Sequence, residues 1–124
     1  MSREELIELR PLIPSALVDD TKELEHFQNE VLRPIIKYQH DFIEMYFKAN
    51  EQFQELIKQK KSRLEFQDKV KHFIGNQANI KHQLIGSILG LLTEKELVFY
   101  WKNASDLNKR IHQMVCQRVS DTFY

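Results

Sequence analysis

A chain of 124 residues, 42% hydrophobic and 29% charged, with 3 glycines and 3 prolines, has the composition of one folded domain around a single core. That excludes a loop-rich or disordered chain. The zero net charge hides an asymmetry, because residues 1–59 hold 7 Lys or Arg against 12 Asp or Glu, and residues 60–124 hold 11 against 6. Compensation between packed halves is the simplest reading, and a basic binding face in the second half is the sharper one. The start, Met1-Ser2-Arg3-Glu4-Glu5, lacks the basic and apolar regions of a signal peptide. No apolar run approaches the roughly 20 residues a membrane-spanning helix needs. With the lone Cys116 unable to form an internal disulfide, the expectation is a cytoplasmic protein with no membrane partner.

In chain order, Ser2 and Glu5 have capping-box spacing, so a short helix starts at once and ends where Arg10 precedes Pro11. Residues 11–20 read as an ordered connector anchored by Leu12, Ile13, Leu17 and Val18. Asp20, with Glu23 three residues on, caps a long helix over 20–50. On it Leu24, Phe27, Val31, Ile35, Tyr38, Phe42, Met45, Tyr46 and Ala49 share a sector roughly 100° wide. Leu32, Ile36, Ile43 and Phe47 form a second stripe beside the first, so this helix reads as the central member of a bundle. Lys37–Asp41, His40–Glu44 and Glu44–Lys48 lace its solvated face at i,i+4. Pro34 removes the hydrogen bond to the Glu30 carbonyl and predicts a bend there, at a cost of about 3 kcal/mol.

Asn50 either closes that helix or caps a short one over 51–59 that buries Phe53, Leu56 and Ile57. After a solvated bend at 58–61, Ser62 and Glu65 repeat the capping box, and Phe66, Val70, Phe73, Ile74, Ile80, Leu84, Ile85 and Ile88 predict one helix over about 63–89. Gly75 and Gly86 lie opposite this stripe, either as exposed weak points or as places of close backbone approach. Gly90 suits a left-handed helix end, and Thr93 with Glu96 makes a capping box, supported by a Leu92–Leu97 staple. From Glu94, the stripe Leu97, Tyr100, Trp101, Ala104, Leu107, Ile111, Met114, Val115 and Val119 favours a single helix to about Thr122, the alternative being a fresh helix capped by Ser105. The fold class is therefore all-α, an up-down-up bundle of three long helices plus two short helices in a single domain over 1–124.

Chemistry-bearing constellations are sparse. Glu23 and His26 match half of a bundle di-metal motif without the other half, so no metal or other cofactor is implied. His112 and Cys116 at i,i+4 read as a buried thiol beside a satisfied histidine rather than ligands or a nucleophilic pair. No phosphate-binding loop, dinucleotide fingerprint or serine-hydrolase elbow appears, and no residue is assigned a catalytic role. Four polar residues break the apolar stripes: Gln39, Gln77, Asn108 and Arg118. The first three fall near mid-helix, and they read as one bonded polar layer or as the wall of a ligand pocket. Arg118 is expected to snorkel or to meet a carboxylate such as Glu44 or Glu65. Lys102, Lys109 and Arg110 are the candidate nucleic-acid contacts of a helix-turn-helix reading, which Glu94 and Glu96 at the start of the helix weigh against.

The runs Glu25-His26-Phe27-Gln28-Asn29-Glu30-Val31-Leu32-Arg33-Pro34 and Lys102-Asn103-Ala104-Ser105-Asp106-Leu107-Asn108-Lys109-Arg110 resemble a family of small helical proteins of unassigned function from flavobacteria and their relatives. Its members often carry the label glyoxalase, an enzyme class built from βαβββ modules with metal ligands on strands, and nothing in this chain matches that pattern. The resemblance implies a bacterial cytosolic protein and carries over no catalytic residue. Val98, Phe99, Cys116 and Phe123 fall outside the third stripe, so the leading expectation is a non-enzymatic module that self-associates or docks a protein partner. The alternatives are a nucleic-acid-associated regulator using the basic half, and a small-ligand binder or enzyme with a polar pocket.

Overall fold

Every regular element of the computed structural model is helical, and the residues it describes are 2–11 and 23–124. The connector anchors Leu12, Ile13, Leu17 and Val18 and the Asp20 cap lie outside the described residues. A 3-10 helix, Arg3–Leu9, stands where a short α-helix is expected, and the Ser2 side chain makes no capping bond. It buries none of its own residues and is held by two guanidinium groups. Arg3 donates to the carbonyls of Leu92 (2.8 Å) and Gly90 (3.1 Å), while Arg10 donates to Leu91 O (3.1 Å) and grips both Glu96 oxygens at 2.6 and 2.9 Å. These carbonyls end a helix, where a left-handed glycine would otherwise help to satisfy them. Gly90 accordingly stays right-handed at φ −61°, ψ −17°, contrary to expectation. The Thr93–Glu96 capping box forms as read, at 2.9 and 3.3 Å.

The long first helix has a phase shift built into it. It runs through α1 (Glu23–Phe27), a π-turn (Gln28–Leu32), α2 (Arg33–Tyr38) and α3 (His40–Lys48). In the π-turn the Arg33 N–H reaches back five residues to Gln28 O, and Pro34 falls in the opening turn of α2, where a missing N–H is tolerated. One inserted residue rotates everything after it by about 100° relative to a regular α-helix. The core face therefore switches stripes: Phe27 is buried before the turn, and Leu32, Ile35, Ile36, Ile43 and Phe47 are buried after it. Tyr38, Phe42 and Met45, placed in the buried stripe by the unbroken periodicity, are 46%, 42% and 69% exposed, and Ala49 is exposed with them.

Asn50 caps α4 (Glu51–Lys58) by accepting from the Phe53 N–H at 2.9 Å, and Ser62 caps α5 (Arg63–Gly75) in the same way through Glu65. The helices expected over 63–89 and 94–122 are each interrupted. α5 gives way to α6 (Ala78–Leu89) at Gln77, and α7 (Glu94–Lys102) gives way to α8 (Ala104–Phe123) at Asn103, two residues before Ser105. Both breaks use one device. The side-chain amide bonds the carbonyl four residues back, Gln77 to Phe73 O at 3.2 Å and Asn103 to Phe99 O at 3.0 Å, while the backbone N–H tightens to the carbonyl three residues back. An amide that occupies its own i−4 carbonyl competes with helix continuation.

The axis of the bundle is α8 rather than the 20–50 helix. It packs against the π-turn and against α2, α3, α5, α6 and α7, burying Leu107, Ile111, Val115, Cys116 and Val119. Phe53 closes one end of the core, with its ring 4.8 Å from Phe47, 5.2 Å from Phe123 and 5.5 Å from Phe73. Among the described residues, the halves of the chain are joined by one ion pair, Arg10–Glu96. Its basic member belongs to the acidic half, so the charge asymmetry is not resolved by pairing.

Two outcomes test this description. Glu96 lies in a buried setting that by itself raises its pKa, but hydrogen bonds from Arg10 and Thr93 outweigh that and hold it below the ordinary 4.5. Its stabilising contribution is therefore complete above about pH 4.5 and is lost as pH falls through the depressed folded value. Glu96→Ala should cost about 3 kcal/mol in urea titrations at pH 7, and the gap to the parent protein should narrow on acidification. Gly86 sits inside α6 with nothing within 4 Å of an added Cβ, so Gly86→Ala should stabilise by up to about 1 kcal/mol, read as a higher thermal midpoint.

Candidate functional site

The three amides expected to share a layer are each satisfied elsewhere and do not bond one another. Gln39 donates to Ser87 O (2.9 Å) and ties the α2–α3 joint to α6, Gln77 caps its own helix break, and Asn108 accepts from the Tyr100 hydroxyl. The polar-layer expectation is thus corrected, and the reason is local: amides close to a carbonyl or a phenol find those partners before they find each other.

Arg118 is the exception. It meets neither Glu44 nor Glu65 but donates to His40 Nδ1 at 3.2 Å, and His40 Nε2 lies 3.8 Å from Glu44. A guanidinium has no acceptor, so His40 presents its lone pair at Nδ1 and carries its proton on Nε2, toward the carboxylate. Glu44 also pairs with Lys48 at 3.2 Å, as the i,i+4 spacing predicts, whereas Lys37 and Asp41 form no ion pair. Burial lowers the pKa of Arg118; Asp121 opposes this and the nearby Arg33 adds to it. Arg33 and Arg118 face each other across an open cleft of about 500 Å³ between α2 and the last turns of α8, with Ile36 and Met114 on its walls. Asp121 also lines the cleft but is engaged by Gln117 at 3.0 Å and by Arg63 at 3.5 Å.

Of the candidate nucleic-acid contacts, Lys102 and Lys109 are exposed, while Arg110 turns inward to Gln28 Oε1 at 2.7 Å. Trp101, expected in the third stripe, is 65% exposed beside Lys102. Of the residues expected to form an apolar excess, Cys116 is buried, Phe99 stacks on Phe27 at 4.8 Å and Phe123 on Phe53, leaving Val98 at the surface. The apolar surface that does exist, Tyr38, Phe42 and Met45 at i, i+4 and i+7, went unread. Its signal was present in the two parallel stripes directly around a proline, the pattern a phase shift leaves behind.

Cys116 Sγ lies 3.6 Å from His112 Nε2. Burial pushes the thiol up to about 11, against the pull of Lys71 and Lys81, and burial with the same two lysines lowers the pKa of His112. A protonated thiol beside a neutral imidazole is the reverse of an activated thiolate pair. His26 and Glu23 are exposed on α1, and among the described residues no three His, Cys, Asp or Glu side chains converge on a metal position. No helix among them is long and apolar enough to cross a membrane. Cys116 should therefore react with a disulfide reagent at pH 8 at least about a hundredfold more slowly in the native protein than in urea, measured by thiol release. Comparison with protein-family models, with characterised proteins and with solved structures finds no match to this chain.

Proposed function

We propose that this protein is a non-enzymatic helical module that self-associates through the exposed face of α2 and α3. The observation that carries this reading is the outward turn of Tyr38, Phe42 and Met45, three large apolar side chains in one line on a helix. A second copy of the chain fits this face because the face is self-complementary. Asp41 and Lys48 stand seven residues apart on either side of Met45, with opposite charges. In an antiparallel pairing about a two-fold axis near Met45, each Asp41 meets Lys48 of the other copy, and each Phe42 meets the small, exposed Ala49. Lys48 would exchange a surface pair with Glu44 that is worth little in water. The exposed Lys102 and Lys109 beside Trp101 support nucleic-acid association as the alternative.

Sedimentation velocity over a concentration series tests the reading. The parent chain should show a concentration-dependent dimer, and Met45→Lys should weaken it by at least about tenfold without changing helicity. Asp41→Lys and Lys48→Asp should each weaken the dimer, and the two together should restore it. A monomer at every concentration, or a dimer indifferent to Met45→Lys, would overturn the proposal, and salt-sensitive binding of an oligonucleotide by that monomer would favour the alternative.

A further inference from the structure

We infer that the cleft between α2 and α8 is a binding site for a small organic carboxylate, with the anionic head between Arg33 and Arg118 and an apolar body on Ile36 and Met114. Two guanidinium groups share this cleft, and among the described residues neither has a carboxylate within ion-pairing distance. Arg33 has only Asn29 Oδ1, at 3.3 Å on its outer side. Arg118 is oriented from behind: Nη1 is spent on His40, which Glu44 steadies in turn. Its Nε and Nη2 have no hydrogen-bond partner among the described residues and are not buried, so the two-donor edge that recognises a carboxylate is available.

Charge and size select the ligand class. Arg33 and Arg118 against Asp121 leave the lining with one net positive charge, which suits a monoanion better than a phosphate dianion. The mutual repulsion of the two arginines, visible in the lowered pKa of Arg118, is relieved by an anion between them. A cleft of about 500 Å³ is within the range of small-molecule sites and larger than a bare inorganic ion requires. Ile36 and Met114 offer apolar contact beside the charged end, the arrangement that binds an amphipathic acid rather than a fully polar one. The site stands apart from the self-association face, since it uses the α8 side of α2.

Titration calorimetry of the full chain with hexanoate tests the inference, with hexanamide and inorganic phosphate as comparison probes. Hexanoate should bind saturably at one site, and hexanamide and phosphate should each bind at least about tenfold more weakly. Arg33→Met, an exposed substitution that leaves the core alone, should weaken hexanoate by at least about tenfold, as should Arg118→Met. Met45→Lys should bind like the parent chain, which separates this site from the dimer reading. Absence of saturable binding, equal binding of the neutral amide, stronger binding of phosphate, or full affinity in Arg33→Met would each overturn it.

Discussion

The constraint on which the rest depends is the N–H that Pro34 lacks. In an uninterrupted α-helix the proline would leave the Glu30 carbonyl unpaired and press its ring against it, at about 3 kcal/mol. The chain widens one turn instead, with Arg33 bonding Gln28 O five residues back. The backbone keeps its hydrogen bonds at the expense of its phase. Everything after residue 33 is turned by about 100°, so the residues that reach α8 are Ile36, Ile43 and Phe47, and those left outside are Tyr38, Phe42 and Met45. The shift also puts His40 where Arg118 can reach it and Arg33 on the edge of the α8 cleft.

A second theme is how the carbonyls at helix ends are satisfied. The helices are short, and many end carbonyls accept from a side chain rather than from a left-handed glycine. Gln54 donates to Phe47 O, Gln77 to Phe73 O, Asn103 to Phe99 O, Lys60 to Phe123 O, and Arg3 and Arg10 to the turn after α6. Each such bond replaces water at a carbonyl and is worth about 1 kcal/mol, more where the donor is charged. The arginine clamp is the strongest of these, because Arg10 also joins Glu96, which is already bonded to the Thr93 N–H. A single carboxylate thus couples a helix cap to an N-terminal helix that buries no side chain of its own.

The titratable groups divide by surroundings. Cys116 and His112 are pressed toward their neutral forms by burial and by the lysines around them, which removes the chemistry their spacing would otherwise suggest. Arg118 keeps its charge, as guanidinium groups do, and its chain of contacts through His40 to Glu44 runs along one side of α3. That the one polar residue near the end of the third stripe became the centre of a cleft, while the mid-helix amides became caps, follows from reach. A long guanidinium can cross to another helix, and a short amide bonds its own backbone first.

The sequence by itself determined the helical class, the caps at Asn50, Ser62 and Thr93, and the buried faces of α5, α6 and α8, from Phe66, Val70 and Ile74 through Ile88 to Leu107, Ile111 and Val115. These depend on residues at most a few turns apart, which periodicity and capping chemistry report directly. Arg118 was legible as a polar residue out of place, but its partner His40, 78 residues away, was not. Tertiary structure alone decided which of two adjacent apolar stripes on the first helix faces the core, and it decided where the later helices break. Both outcomes compare nearly balanced local alternatives, a π-turn against a strained proline and an amide cap against one more helical bond. In such a balance the choice falls to whichever alternative lets the most distant surfaces pack.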